Sequence, residues 1–269
     1  MAAVVEAEAP SDARKAASAL RDDGYVAIKG VADAEFLVEC GDAALAALGE
    51  CHAAIGDRGE GPLGVGQKHG YREVTQRMVG RYEMRHGVGG GPLATLRETV
   101  EASAAGAAAR EALGGESVVI GVSVVIADED CDAQTWHVDG GHVRSDAHEP
   151  AHCLNVFVPL VDLRNGGGTE FRPGSHYLSR DLKRMLFLAK IKKTLRPTVV
   201  PELSPGDAVV FDYRVLHRGT RNTSGGPRPV FVVTLARPWF RDLVNFPRRR
   251  LFPGERLAED DLPGAAARP

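Results

Sequence analysis

The sequence predicts an α+β chain in which helices gathered toward the N-terminus back an antiparallel barrel or jelly roll. Three observations predict it. Apolar residues recur at helical spacing up to about residue 113. From residue 117 the texture changes to short β-branched runs separated by turn clusters. With 269 residues, 43% hydrophobic and 26% charged, the chain can build a full core, and barrels of this length commonly form one domain. A single domain over 1–269 is expected, with a partly frayed segment over 1–20 and an irregular tail over 255–269.

Taken in order, Ser11 can cap a short helix to about Asp22, and Gly24 ends it before the strand-like Tyr25-Val26-Ala27-Ile28. Residues 33–55 place Phe36, Leu37, Cys40, Ala44, Leu45 and Leu48 on one helical face. Residues 92–113 repeat the pattern behind Pro92, with Leu93, Leu96, Val100 and Leu113. The β half then reads SVVIGVSVVIA, HCLNVFVPLVDL, TVVPEL, DAVVFDY and PVFVVTLARPW, divided by turn clusters such as NGGG, SPGD and NTSGGPRP. Residues 178–193 interrupt it as an inserted helix with Leu182, Met185, Leu186 and Ala189 inward.

Lys plus Arg at 33 against Asp plus Glu at 36 gives a net charge of -3, which lacks the overall electrostatic footprint of a nucleic-acid binder. Cys40, Cys51, Cys131 and Cys153 form no CxxC pair and read as reduced thiols of a cytoplasmic chain. No apolar run reaches 18 residues, and the start MAAVVEAEAP lacks the features of a targeting segment. Ser-His-Asp elbows, P-loops and dinucleotide fingerprints are absent from the sequence.

The chemistry concentrates in QTWHVDGGH and GDAVVFDYRVLHRGTRN. On an extended strand His137 and Asp139 emerge on the same face, about 7 Å apart along the chain. With His217 they supply two imidazoles and one carboxylate, which suit one face of an octahedral Fe(II) and leave positions open for cosubstrate and dioxygen. A bare His-x-Asp occurs by chance in many proteins. Here Arg228 stands eleven residues after His217 at the head of a β-branched run, and its guanidinium fork can pair with the remote carboxylate of a dicarboxylate cosubstrate.

On these residues the chain resembles the phytanoyl-CoA dioxygenase family of Fe(II)- and 2-oxoglutarate-dependent oxygenases. DGYVAIKGV resembles its opening strand and QTWHVD its His-x-Asp strand. NGGGTEFRPGSH resembles its turn ending in PGSH, and the segment from Gly206 to Arg228 its closing strands. The resemblance implies a double-stranded β-helix, with His137, Asp139 and His217 as iron ligands and Arg228 as anchor of the 2-oxoglutarate C5 carboxylate. It also implies that Thr169 gives that carboxylate a second hydrogen bond, the alternative being a hydroxyl simply satisfied within its strand. The position two after His217, a serine in some relatives, is Gly219, which puts more weight on Thr169.

Asn155 and Gln134 are amides on flanking strands, able to hold the keto-acid end or orient a substrate, or simply to be satisfied within their strands. Arg81 and Tyr82, in VGRYEMRHG, fall on a strand at the mouth and are candidates for substrate contact or, equally, for plain surface exposure. His142, His148 and His152 have loop-like spacing and read as exposed or supporting residues, His176 as a turn residue. His52, His69 and His86 carry no signal, and Cys131 and Cys153 read as packed thiols.

The implied activity uses Fe(II), 2-oxoglutarate and dioxygen to hydroxylate an unactivated C–H of a small molecule, releasing succinate and CO2. Asp139 argues against halogenation, since halogenating relatives replace that carboxylate. The alternative is a catalytically silent member that binds metal and 2-oxoglutarate as a sensor or scaffold. A cupin-like enzyme working without a keto acid is disfavoured by Arg228. The six basic residues of 178–193, opposed only by Asp181, read ordinarily as a solvated face, with steering of an anionic substrate as the functional reading.

Overall fold

The structure is a computed structural model that describes residues 4–5, 10–144, 147–163, 167–177, 196–242, 245, 247–257 and 260. Its first half runs β1 (Val4–Val5), α1 (Pro10–Asp23), β2 (Tyr25–Ile28), α2 (Ala34–Asp57), β3 (Val74–Met78), β4 (Arg81–Met84), α3 (Gly91–Ala102) and α4 (Ala104–Ala112). The second half adds β5 (Val118–Ala127), β6 (Cys153–Pro159), β7 (Thr169–Phe171), β8 (Ala208–Asp212), β9 (His217–Gly219) and β10 (Arg228–Ala236).

Eight strands form one sheet in the order β1-β2-β8-β6-β10-β5-β4-β3, antiparallel except for the β1–β2 pair. Alternation along each strand sorts the side chains onto two faces. On β10, Phe231, Val233 and Leu235 join the helix-side core, while Arg228, Val230, Val232 and Thr234 line a cavity on the opposite face. The same split puts Val122, Val124 and Ile126 of β5, and Leu154, Val156 and Val158 of β6, against the helices. Because both faces are covered, these strands read as continuous apolar runs in the sequence. The helices return Leu37, Cys40, Ala44 and Leu48 of α2, Leu93, Leu96 and Val100 of α3, and Ala105 and Ala108 of α4 to that core. Asp33 caps α2 by accepting from the amides of Glu35 and Phe36 at 3.0 and 3.1 Å.

Over the cavity face lies a two-stranded sheet, β7 against β9, with Thr169 opposite Gly219 and Phe171 opposite His217. A second apolar cluster, including Tyr25, Phe171, Val209, Phe211 and Val215, packs between the layers, and the rings of Tyr25 and Phe171 stack with centroids 4.8 Å apart. The architecture is thus mixed α/β with a large, nearly all-antiparallel sheet, and among the described residues the two sheets do not close into a barrel.

Several expectations need correction or placement. The periodic stretch 92–113 is two helices, because Ser103 leaves helical geometry and its hydroxyl accepts from Ala105 N at 3.1 Å, capping α4. TVVPEL makes only the single bridge Val199–Phe171, and the segment holding His137 makes only the bridge His137–His217, so neither is a strand. β4 is the strand expected for Arg81 and Tyr82, and it pairs as a hairpin edge with β3, which the apolar patterning did not announce. The expected helix over 178–193, and the tail at 258–259 and 261–269, lie outside the described residues. All four cysteines are unpaired and buried, and no described helix is long and apolar enough to cross a membrane.

Candidate functional site

His137, Asp139 and His217 converge over the cavity face. One ligand atom from each lies within 4.8 Å of the others, and they form the one such cluster of His, Cys, Asp and Glu among the described residues. They arrive from different places: His217 opens β9, and His137 bridges to it by reciprocal backbone hydrogen bonds of 3.0 and 2.9 Å. Asp139 is fixed by its own amide, which donates to Tyr213 O at 2.9 Å. Nδ1 of His137 donates to Thr135 O at 2.9 Å, and Nδ1 of His217 to Val215 O at 3.0 Å. A carbonyl can only accept, so each Nδ1 carries the proton and each Nε2 lone pair is free for a metal. Those Nε2 atoms lie 3.9 and 3.6 Å from Asp139 Oδ1 and Oδ2. Burial, partly opposed by Asp139, holds the His217 imidazole below its usual pKa and so favours the neutral ligand form.

A short network steadies the carboxylate. Asn155 Nδ2 donates to Asp139 Oδ2 at 2.8 Å, and Thr234 Oγ1 donates to Asn155 Oδ1 at 2.7 Å. Asn155 thus orients a prospective ligand, a role its sequence position did not separate from keto-acid binding.

The cavity beneath the triad encloses about 460 Å³. At the strand-start end of β10 it is closed by two buried guanidiniums, Arg228 and Arg81, each 3% exposed. Arg228 Nη2 donates to Thr220 O at 2.9 Å and Nη1 to Arg221 O at 3.3 Å. Arg81 Nη2 donates to Thr220 O at 3.1 Å and Asp132 O at 3.2 Å, while its buried Nε has no partner. Burial, and after it the facing Arg81, brings the Arg228 pKa down to about 10, and burial lowers Arg81 as well. Two desolvated cations side by side, one with an orphaned donor, make a strong receptor for a carboxylate.

Glycines make room for this pair. A Cβ on Gly219 would stand 2.5 Å from Arg81 Nη1 and 2.7 Å from Gln134 Oε1, so Arg81 occupies the space a side chain two positions after His217 would fill. Gly167, at φ 76°, brings its own backbone so close to Thr220 that a Cβ would collide with Oγ1 and crowd Arg228 Nη1.

The other predicted residues separate. Thr169 lines the cavity beside this end. Gln134 also lines it, with Oε1 accepting from Gly219 N at 2.9 Å, which holds the edge of β9. Tyr82 points to the other face of β4, against the helix-side core and edge-on to His52 at 5.1 Å. It is therefore not a cavity residue, because alternation gives that face to Arg81 and Glu83. His176 lies in the turn expected of it, with Nε2 2.9 Å from Arg21 O. His148 is exposed, whereas His152 is buried beside Phe240.

Three residues escaped the sequence reading. Thr220 accepts from Gly168 N at 2.9 Å through Oγ1 and lies 3.5 Å from Arg228 Nη1. Glu83 and Arg77 line the cavity away from the arginine end. The signal was present in RYEMR, where Arg81, Glu83 and Arg85 alternate on a strand whose opposite face is apolar. Arg85 and then Arg77 overcome the upward push of burial and hold the Glu83 carboxyl near a pKa of about 2.

Known proteins share this framework. The chain aligns with AviO1 from Streptomyces viridochromogenes Tue57 at 22% identity and a TM-score of 0.56, over 86% of this chain and 97% of that one. With SnoN, a non-heme alpha ketoglutarate dependent epimerase from nogalamycin biosynthesis, identity is 19% and the TM-score 0.59, over 93% and 98% of the two chains. With SnoK, a non-heme alpha ketoglutarate dependent carbocyclase from the same biosynthesis, identity is 20% and the TM-score 0.55, over 84% of each. At these identities the likeness is one of fold. The family model described as phytanoyl-CoA dioxygenase matches residues 20–230, a span that takes in the opening strand, the triad and Arg228, and the chain belongs to that family.

Proposed function

We propose that the chain is an Fe(II)- and 2-oxoglutarate-dependent dioxygenase, one double-stranded β-helix domain that hydroxylates an unactivated C–H of a small organic substrate and releases succinate and CO2. The observation that carries this reading is one cavity with a two-His, one-Asp donor set above its floor and two buried arginines at one end. SnoN has been crystallised with Fe3+, alpha ketoglutarate and nogalamycin RO, which fits such a donor set on this fold.

The residues suit the cofactor. Neutral imidazoles and one carboxylate are a non-haem iron set rather than a calcium or magnesium one. When bound, iron with 2-oxoglutarate and dioxygen supplies the oxidising power for C–H cleavage. His137, Asp139 and His217 hold the metal on one face, and Asn155 keeps the carboxylate oriented. Arg228 and Arg81 take the C5 carboxylate of 2-oxoglutarate, with Thr169 and Thr220 as neighbouring hydroxyls. Arg81 is thereby reassigned from the substrate to the cosubstrate. Leu163, Val230, Val232 and Phe157 wall the cavity and exclude water.

A substrate-library screen that reads succinate above the uncoupled background, followed by mass analysis of the product made under isotopically labelled dioxygen, tests the reading. One labelled oxygen in the product is expected. A chlorinated, epimerised or cyclised product would overturn hydroxylation, and tight 2-oxoglutarate binding without succinate across the library would point to the silent member.

A further inference from the structure

Beyond Arg81 and Arg228 the cavity lining includes Arg77 and Arg85, which the proposed chemistry leaves unused; Arg85 is buried against Glu83, and Arg77 is the more open of the two. Arg77 sits where the β3–β4 register shifts between Gln76 and Met78, and it lines the cavity together with Asp139, Tyr213 and Asn245. One edge of its guanidinium is committed: Nε donates to Glu83 Oε2 at 2.7 Å, and Nη2 reaches the same oxygen and also Asn245 O at 3.0 Å. Nη1 makes no hydrogen bond to a described residue, on a side chain that lines the cavity and is 23% exposed. Glu83 cannot neutralise Arg77 fully, because its other oxygen pairs with Arg85. The site adjoins the triad, since Asn245 Nδ2 donates to the backbone oxygen of Asp139 at 3.3 Å.

This cation is distinct from the Arg81 and Arg228 pair assigned to the remote carboxylate of 2-oxoglutarate: its partner Glu83 stands two residues along β4 from Arg81. A half-neutralised guanidinium in a largely apolar cavity selects an anionic oxygen and disfavours a neutral isostere, because only the anion repays the desolvation. From the Arg77 geometry, and resting on the oxygenase reading above, we infer that the primary substrate carries a carboxylate that Nη1 of Arg77 receives beside the metal. Glu83 acts as a positioning residue that aims the guanidinium, and Arg77 sets specificity.

The test uses the whole protein loaded with Mn(II) in place of iron and saturated with 2-oxoglutarate, so that a carboxylate probe cannot occupy the arginine end. Paramagnetic relaxation by Mn(II) of the ring protons of benzoate is compared with that of benzamide, matched in shape and differing in charge. The protein is expected to relax benzoate about tenfold more than benzamide, the size of one charge-assisted hydrogen bond. Arg77→Met should abolish the preference and Arg77→Lys should restore part of it. Arg77→Met with Glu83→Gln leaves no orphaned carboxylate on Glu83 and replaces the single variant if that does not fold. Equal relaxation of the two probes by the parent, or a preference that survives Arg77→Met, would overturn the assignment of Arg77 alone. Failure of the protein to load Mn(II) and 2-oxoglutarate, read by calorimetry, would overturn the oxygenase reading and this inference with it.

Discussion

Asn155 Nδ2 stands 2.8 Å from Asp139 Oδ2, the same carboxylate oxygen that lies 3.6 Å from His217 Nε2. A core strand thereby aims a carboxylate that belongs to no strand of its own. Thr234, directly opposite Asn155 in the β6–β10 register, locks the amide orientation by donating to its oxygen at 2.7 Å.

Asn155→Ala should weaken Fe(II) binding by about 10- to 100-fold, the usual cost of losing an outer hydrogen bond to a metal ligand. Asn155→Asp should cost more, since it sets a second carboxylate against Asp139. Anaerobic competition against a chelator measures both, and unchanged affinity in either variant would detach Asn155 from the site.

Arg228→Ala and Arg81→Ala should each lower 2-oxoglutarate affinity, Arg228 by on the order of a hundredfold or more, because each leaves a buried carboxylate with a single cation. Calorimetry on anaerobic, iron-loaded protein reads the loss. If Arg81→Ala bound 2-oxoglutarate like the parent, Arg81 would return to the substrate side.

Gly219→Ser is expected to impair 2-oxoglutarate binding although it restores the serine of some relatives. The added Cβ would meet Arg81 Nη1 at 2.5 Å and must displace it. Pairing it with Arg81→Ala should relieve the loss in part, and KM for 2-oxoglutarate in succinate formation measures the rescue.

Much of the site was legible because its chemistry depends on spacing. His-x-Asp, the distal His217 and Arg228 eleven residues on are local patterns, and the β-branched runs marked β5, β6, β8 and β10. Alternation, applied to RYEMR, would also have put Arg81 on the cavity face and Tyr82 on the other. What stayed hidden depends on tertiary placement. The Arg81 pairing with Arg228 joins residues 147 positions apart through Thr220 O. The break at Ser103 was obscured because alanines on both sides keep helical periodicity unbroken.

His86 should give the fold a pH-dependent contact far from the metal. Its ring nitrogens lie 2.8 Å from Glu50 and Glu255, and against the lowering effect of burial these hydrogen bonds raise its pKa. A raised folded-state pKa contributes stability that is complete below the unfolded value of about 6.5 and is lost as pH rises through the folded value. Hydrogen exchange of amides 249–257 should therefore quicken, beyond the intrinsic rate, as pH rises through that window. His86→Gln should flatten the dependence, and a parent without such a pH effect would show that the contact is not coupled to this segment.

The most direct measurement of the central claim is anaerobic addition of 2-oxoglutarate to the Fe(II)-loaded parent and to His137→Ala, following metal content and the visible charge-transfer band of a keto acid chelated to Fe(II). The parent should bind one iron per chain and develop the band on adding 2-oxoglutarate, and His137→Ala should lose both. Equal iron and an equal band in His137→Ala, or no band in the iron-loaded parent, would contradict the assignment.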